Sequence, residues 1–216
     1  DQALVIFAAK NPKPNYNLLD RFLLMMEKQG VPAVVCFNKT DLAKEKEVSV
    51  LMDVYKDCGH RVIFTSVSGE TGLSEIREAV DHKTTVLAGP SGVGKSSMMN
   101  LLYPDANMET GAVSEKIQRG KHTTRHSELI RVGGDTFVMD TPGFSSLFVD
   151  MFEEDEIKYY FKEFEPYEGQ CRFQGCSHTH EPGCGVKQAL DEGKISKTRY
   201  DNYVLIYNEL KEKRKW

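Results

Sequence analysis

The sequence has no long hydrophobic run. Its longest apolar stretch, Leu4–Ala9, is strand-sized and far short of the ~18 residues that a membrane span needs, so no membrane partner is expected. Basic charge is not in excess either. Lys and Arg number 28 against 32 Asp and Glu, a net charge of −4, which excludes a uniformly basic nucleic-acid coat but leaves room for a local basic patch. The start, Asp1-Gln2, has no basic n-region, so no signal peptide is read. It also lacks an initiator Met, so an upstream segment is expected. There is no internal repeat, low-complexity tract or evident coiled coil, and a cytoplasmic monomer is expected. Five cysteines in such a chain favour metal ligation or free thiols over disulfides. What is present is ordinary: 216 residues, 40% hydrophobic and 28% charged, the composition of a globular protein with room for one good domain and a smaller one.

Short β-rich runs alternate with longer amphipathic stretches. The runs are Leu4–Ala9, Ala33–Phe37, Arg61–Thr65 and Thr84–Ala88, then Glu128–Val132 and Thr136–Asp140. Between the first runs, apolar residues recur at helical spacing, as in Leu18, Leu19, Phe22, Leu23 and Met26. Strand–helix–strand repetition implies parallel strands with crossover helices on both faces, a three-layer α/β sandwich. Gly133-Gly134-Asp135 joins the last two runs as a hairpin turn, so the sheet is expected to be mixed and mostly parallel. After Gly143 the pattern changes. An acidic segment, Glu153–Glu156, is expected to open a helix carrying Ile157, Tyr160, Phe161 and Phe164. A Cys/His/Gly cluster follows, then an amphipathic helix with Tyr200, Tyr203, Val204, Tyr207 and Leu210. The expected division is a domain over 1–148 and a small helical domain over 149–216.

Gly89, Pro90, Ser91, Gly92, Val93, Gly94, Lys95 and Ser96 fit G-x-x-x-x-G-K-[ST], directly after the Thr84–Ala88 run and before a helix that Ser97 continues. Glycines let successive backbone N–H groups turn inward around a polyphosphate at a helix N-terminus. Lys95 is placed to reach the β- and γ-phosphates and the Ser96 hydroxyl to ligate Mg²⁺. Asn38, Lys39, Thr40 and Asp41 follow the Ala33–Phe37 run, at the strand end where α/β sheets bind ligands. An aspartate there accepts two hydrogen bonds from guanine N1–H and its 2-amino group. Adenine lacks both donors, so a buried Asp41 would be left unpaired. The Asn38 amide can serve O6 and N7 while the Lys39 stem covers the base plane. The same residues match the Asn-Lys-Thr glycosylation triplet, which a chain without a secretion signal does not use. Ser66, Val67 and Ser68 follow the next run, and their backbone N–H groups can bind guanine O6. Asp140-Thr-Pro-Gly143 ends the Thr136–Met139 strand, where a second carboxylate holds Mg²⁺ through water and the Gly143 N–H meets the γ-phosphate.

These motifs resemble a translational-type GTPase whose order is permuted: N-K-x-D and the Ser-containing loop precede the phosphate loop instead of following it. With the zinc-type cluster that follows, the chain resembles the circularly permuted, small-ribosomal-subunit-dependent GTPases of the RsgA family. The resemblance covers essentially the whole sequence, including Asp1–Ala9 and Gly120-Lys-His-Thr-Thr-Arg. Members of this family carry an N-terminal OB-type barrel, which is expected to be missing here.

Gly120, Lys121, His122, Thr123 and Thr124 lie where switch I belongs. A threonine there can close on Mg²⁺ and the γ-phosphate; Thr123 and Thr124 are both candidates, with Thr124 preferred. Residues 115–131 carry five Lys or Arg against two Glu, a local basic stretch suited to rRNA phosphates or simply to solvent. The residue after D-T-P-G is Phe144, which cannot orient water as a glutamine does in Ras-like enzymes. The resemblance implies that His122 does so instead, accepting from water as a neutral imidazole.

Cys171-x4-Cys176-x-His178-x5-Cys184 supplies three thiols and one imidazole within a short Gly-rich segment. That set suits one tetrahedral, redox-inert structural Zn²⁺, with four ligands leaving no site for a catalytic water. His180 competes with His178 for the fourth position, and the family's zinc site matches the set with His178. Such a metal staples a small domain with little core of its own. The resemblance implies Mg²⁺-dependent hydrolysis of GTP to GDP and phosphate, stimulated by the small (30S) ribosomal subunit late in its maturation, with 16S rRNA as partner. The guanine site also has room for (p)ppGpp. Two other readings remain: a permuted GTPase of large-subunit assembly, and a nucleotide-gated RNA-binding module with negligible turnover.

Overall fold

The computed structural model describes residues 1–106, 108, 128–140, 147 and 149–213. Six strands form one sheet: β1 (Gln2–Ala8), β2 (Ala33–Asn38), β3 (Arg61–Phe64), β4 (Thr84–Ala88), β5 (Glu128–Gly133) and β6 (Thr136–Asp140). Their spatial order is β3-β2-β1-β4-β6-β5. Every neighbouring pair is parallel except β5–β6, which is antiparallel. The mixed, mostly parallel sheet expected from the apolar runs is present, and the strand bounds agree with those runs to within two residues. β1 is buried at all seven positions, as a central parallel strand covered on both faces must be. Gly133 pairs with Thr136 across a two-residue Gly134-Asp135 turn, the hairpin that the glycine pair predicts.

The helices are α1 (Tyr16–Gln29), α2 (Glu45–Tyr55), α3 (Leu73–Val80), α4 (Lys95–Leu102), α5 (Glu165–Glu168), α6 (Gly185–Asp191) and α7 (Lys197–Lys213). None of them is long and apolar enough to cross a membrane. α1 starts where the Asn15 side chain accepts from the Leu18 N–H at 3.1 Å, the N-cap geometry that satisfies an otherwise orphan donor.

The chain forms two compact units. The first contains Asp1–Pro14, Val31–Val48 and Arg61–Ser146; the second contains Asn15–Gly30, Ser49–His60 and Leu147–Trp216. The second unit's last segment thus begins near the sequence boundary at 148/149, while two earlier segments cluster with it. In the first unit, one sheet face (Leu4, Ile6, Val34, Cys36, Leu87, Val138) packs with Ile76, Ala79 and Val80 of α3 and Met98, Met99 and Leu102 of α4. In the second, Phe161, Phe164, Tyr203, Ile206 and Leu210 share a core with Cys176, Cys184 and Val186.

One expected helix is different. Residues 157–168 form two 3-10 turns, Ile157–Tyr160 and Lys162–Phe164, followed by the single turn of α5. Phe161 leaves helical geometry at φ −91°, ψ 88°. The break lets Ile157, Lys158, Phe161, Glu163 and Phe164 all be buried, a set too wide for one face of a straight helix. In α7 the buried set is Arg199, Tyr203, Ile206, Tyr207 and Leu210. Ile206 joins the buried face, while Tyr200 and Val204, both expected on it, are only half-buried.

Arg199 is the organising charge of the second unit. It is 2% exposed and donates from Nη1 to Asp20 at 2.5 Å and from Nε and Nη2 to Glu163 at 2.7 and 3.1 Å. Asp20, fully buried, also accepts from Tyr55 Oη at 3.0 Å and Asn202 Nδ2 at 2.5 Å. The guanidinium stacks 4.7 Å from the Phe161 ring centre. One cation thereby links α1, the end of α2, the Lys162–Phe164 turn and α7. Removing one partner of a buried ion cluster strands the others without water. Arg199→Met is expected to cost about 3–5 kcal/mol in urea unfolding; a loss below about 1 kcal/mol would show the cluster to be replaceable.

Candidate functional site

The phosphate loop lies where the motif places it. β4 ends at Ala88, residues 89–94 form the loop, and α4 begins at Lys95. Lys95 Nζ donates back to the carbonyls of Gly89 at 2.8 Å and Pro90 at 3.0 Å, so the ammonium sits over the loop's own concavity. Gly94 caps α4 at φ +96°, a conformation that only glycine adopts without strain. A Cβ there would lie 2.5 Å from Asn38 Nδ2, so its missing side chain is also what lets the N-K-x-D segment approach. β1 and β4 are neighbours from which the chain runs outward in opposite directions, β2 and β3 one way and β6 and β5 the other. That is the topological switch point, where open α/β sheets bind ligands.

The two loops meet through Asn38. Its side chain is 1% exposed and donates from Nδ2 to the Val93 carbonyl at 2.9 Å. Its Oδ1 accepts from Thr65 Oγ1 at 3.1 Å, and Thr65 Oγ1 lies 3.3 Å from Cys36 Sγ. Burial pushes the Cys36 thiol up to about 12, so it stays protonated in this chain of contacts. Asn38 was read as a ligand for the base edge; here its amide also braces the phosphate loop. Lys39 adds a second tie, donating to the carbonyls of Gly92 at 2.6 Å and Asn11 at 2.7 Å. Thr40 fixes the following turn by donating both its N–H and its hydroxyl to the Thr65 carbonyl, at 3.1 and 3.0 Å.

Asp41 is oriented, and it is exposed. The Ser66 hydroxyl donates to Asp41 Oδ1 at 2.5 Å and accepts from the Gly69 N–H at 2.8 Å. The idea of a buried Asp41 is therefore corrected: the carboxylate is solvated, and a base lacking donors would leave it unpaired only by covering it and removing its water. The Ser66 loop is narrower than expected too. The Ser66 N–H is taken by the Thr71 carbonyl at 3.0 Å, so it cannot meet guanine O6, which leaves Val67 and Ser68 as the candidates. β6 carries the Asp140 backbone at its end, beside β4 in register with Leu87; the Asp140 side chain lies outside the description. His122, Thr123, Thr124, Gly143 and Phe144 also lie outside the described residues. Sequence reasoning missed Thr65, whose only signal is its place beside Ser66 at a strand end.

A second site lies in the other unit. The ligating atoms of Cys171, Cys176, His178 and Cys184 are all within 4.8 Å of one another. His178 Nδ1 is 3.5 Å from Cys171 Sγ and 3.3 Å from Cys184 Sγ, and those two sulfurs are 3.9 Å apart. Zinc bonds of ~2.3 Å to sulfur and ~2.0 Å to nitrogen, set tetrahedrally, put neighbouring ligand atoms roughly 3.5–3.8 Å apart. The donor set and its spacing therefore fit such an ion. Burial lowers the pKa of His178, favouring the neutral imidazole that a metal requires. Burial together with neighbouring thiols pushes Cys176 up to about 12 and raises Cys184, so thiolates here call for a cation. His180, the competitor, is exposed and its Nδ1 pairs with Thr179 Oγ1 at 2.9 Å. It is not one of the four.

Residues 1–150 match the RsgA GTPase family. Across 216 residues the chain is 56% identical to the small ribosomal subunit biogenesis GTPase RsgA of Agathobacter rectalis, covering 100% of this chain and 72% of that protein. It is similar to the crystal structure of YjeQ from Thermotoga maritima, with a TM-score of 0.81 at 34% identity over 97% of this chain and 71% of that one. It is also similar to YloQ, described as a circularly permuted GTPase, with a TM-score of 0.77 at 35% identity over 99% and 69% of the two chains.

The Gly94 contact yields a test. Gly94→Ala is expected to weaken GDP binding roughly tenfold or more, from left-handed strain and displacement of the Asn38 amide together. Gly92→Ala, also at positive φ but with open space around the added carbon, is the control and should lose less. Titration with a fluorescent GDP compares them; equal losses would mean that only loop strain matters.

Proposed function

The chain belongs to the RsgA GTPase family, and we propose that it hydrolyses GTP to GDP and phosphate with Mg²⁺, acting in maturation of the small ribosomal subunit. The observation that carries the nucleotide reading is the convergence of three loops at one end of the sheet. Asp41, oriented by Ser66, is the guanine acceptor, and Asn38 binds that recognition segment to Val93 of the phosphate loop. The subunit reading rests on the 56% identical relative named for small-subunit biogenesis.

In this reading Asp41 and the N–H groups of Val67 and Ser68 hold guanine, with the Lys39 stem across the base plane. Residues 89–97 wrap the phosphates. Lys95 exchanges its carbonyl partners for β- and γ-phosphate oxygens, and Ser96, Thr124 and Asp140 are the Mg²⁺ residues. The ion, when bound, neutralises charge on the phosphates. Gly143 meets the γ-phosphate, and His122 orients the attacking water in place of the glutamine whose position Phe144 occupies. The functional halves are residues 1–148, which bind and cleave the nucleotide, and 149–216. There Cys171, Cys176, His178 and Cys184 hold one structural zinc ion. The 30S subunit and its 16S rRNA are the partners, (p)ppGpp shares the guanine site, and the protein works as a cytoplasmic monomer.

Phe144 favours one second reading, an RNA-binding module with negligible turnover. Phosphate release from GTP, with and without purified small subunits, separates the two. Multiple turnover rising at least about tenfold with subunits is expected, and His122→Ala should lose about 10²–10⁴-fold of it, the range for a positioned acid–base group. Turnover indifferent to small subunits would overturn the subunit reading.

A further inference from the structure

The Cys/His cluster leaves one polar atom unexplained. His178 is 0% exposed, and its Nε2 is a buried atom with no hydrogen-bond partner among the described residues. Its other nitrogen, Nδ1, faces the sulfurs of Cys171 and Cys184 at 3.5 and 3.3 Å. A neutral imidazole carries one proton. If Nδ1 gives its lone pair to a metal, Nε2 must keep the proton, and a buried N–H without an acceptor costs stability. The nearest carboxylate oxygen among the described residues, Oε1 of Glu168, lies 4.0 Å from Nε2. That same oxygen is 3.0 Å from Lys158 Nζ, and Lys158 also donates to the Cys176 carbonyl at 3.1 Å. The rest of the ligand loop is anchored from α7, where Tyr200 Oη donates to the His178 carbonyl at 2.7 Å and Tyr203 Oη donates to the Ser177 carbonyl.

We propose that Glu168 is the positioning residue of this site: it receives the Nε2–H of His178 when Nδ1 ligates zinc, and Lys158 holds the carboxylate in place for that role. The inference rests on the zinc reading above. It is independent of the nucleotide site. An outer carboxylate of this kind fixes the ring's tautomer and orientation and makes Nδ1 a better ligand. Lys158 balances its charge and, through the Cys176 carbonyl, joins the carboxylate to the ligand loop. The 4.0 Å separation is the distance that must close to hydrogen-bond length once the proton is fixed on Nε2.

The test uses the full chain loaded with zinc and labelled with nitrogen-15 in its histidines. Nitrogen–proton correlation spectra should show His178 metal-bound at Nδ1 and protonated at Nε2. Zinc competition with a chromophoric chelator should show Glu168→Ala weakened about 10–100-fold. Glu168→Gln, which keeps an acceptor oxygen, should stay closer to the wild type, and the Nε2 proton should exchange with water fastest in Glu168→Ala. Zinc bound through Nε2 in the wild type would overturn the proposal even if Glu168→Ala fails to fold. So would a folded Glu168→Ala with unchanged zinc affinity. A wild-type chain that takes up no zinc would instead remove the zinc reading itself.

Discussion

The nucleotide site depends on one buried amide. Asn38 ends β2, and Val93 lies in the loop between β4 and α4, 55 residues further on. The bond between them crosses the place where the strand order diverges, so the N-K-x-D segment and the phosphate loop are built as one object. Everything around Asn38 serves to fix it. Thr65 sets the direction of its carbonyl oxygen, Gly94 removes the carbon that would collide with its nitrogen, and β1 separates β2 from β4 by a single strand width. In a low-dielectric surrounding such a bond is strong when made and expensive when broken. Asp41 stands one hydrogen bond and three residues from the phosphate loop, through Asn38.

The permutation leaves this arrangement intact. Strand order in space, β3-β2-β1-β4-β6-β5, and the parallel pairing of β2, β3, β4 and β6 through β1 bring the C-terminal ends of these strands to one end of the sheet whatever their order along the chain. What permutation changes is the covalent path: the strand that ends at Asp140 now leads directly into the segment that carries the Cys/His cluster. That second unit has its own cohesion, from Arg199 among Asp20, Glu163, Tyr55 and Phe161 and from the ligand set that shares its aromatic core.

Much of this was readable in the sequence, for local reasons. The phosphate loop, the Gly133-Gly134-Asp135 hairpin and the Cys/His set each depend on residues close together in the chain, and each is found in its expected place. What escaped is long-range. Nothing in N-K-T-D says that Asn38 is sealed against Val93, and nothing marks Arg199, within a helix bearing other basic residues, as the one that is buried. The broken helix at 157–168 has helical apolar spacing, yet burial of both Lys158 and Glu163 with the aromatics overrode it. Glu168 carries no signal before the fold brings it to within 4.0 Å of His178. The exposure of Asp41 could not be read from composition, because it depends on how far the turn after β2 stands out from the sheet.

Asp41 as the residue that reads the base is the central claim, and equilibrium binding of GTP and ATP to the wild type and to Asp41→Ala tests it most directly. The account predicts a GTP preference of at least about a hundredfold, since a site built to accept hydrogen bonds rejects a base that cannot donate them. That preference should collapse in Asp41→Ala while affinity for the phosphates persists. Equal affinities for GTP and ATP in the wild type, or an unchanged preference in the variant, would contradict it.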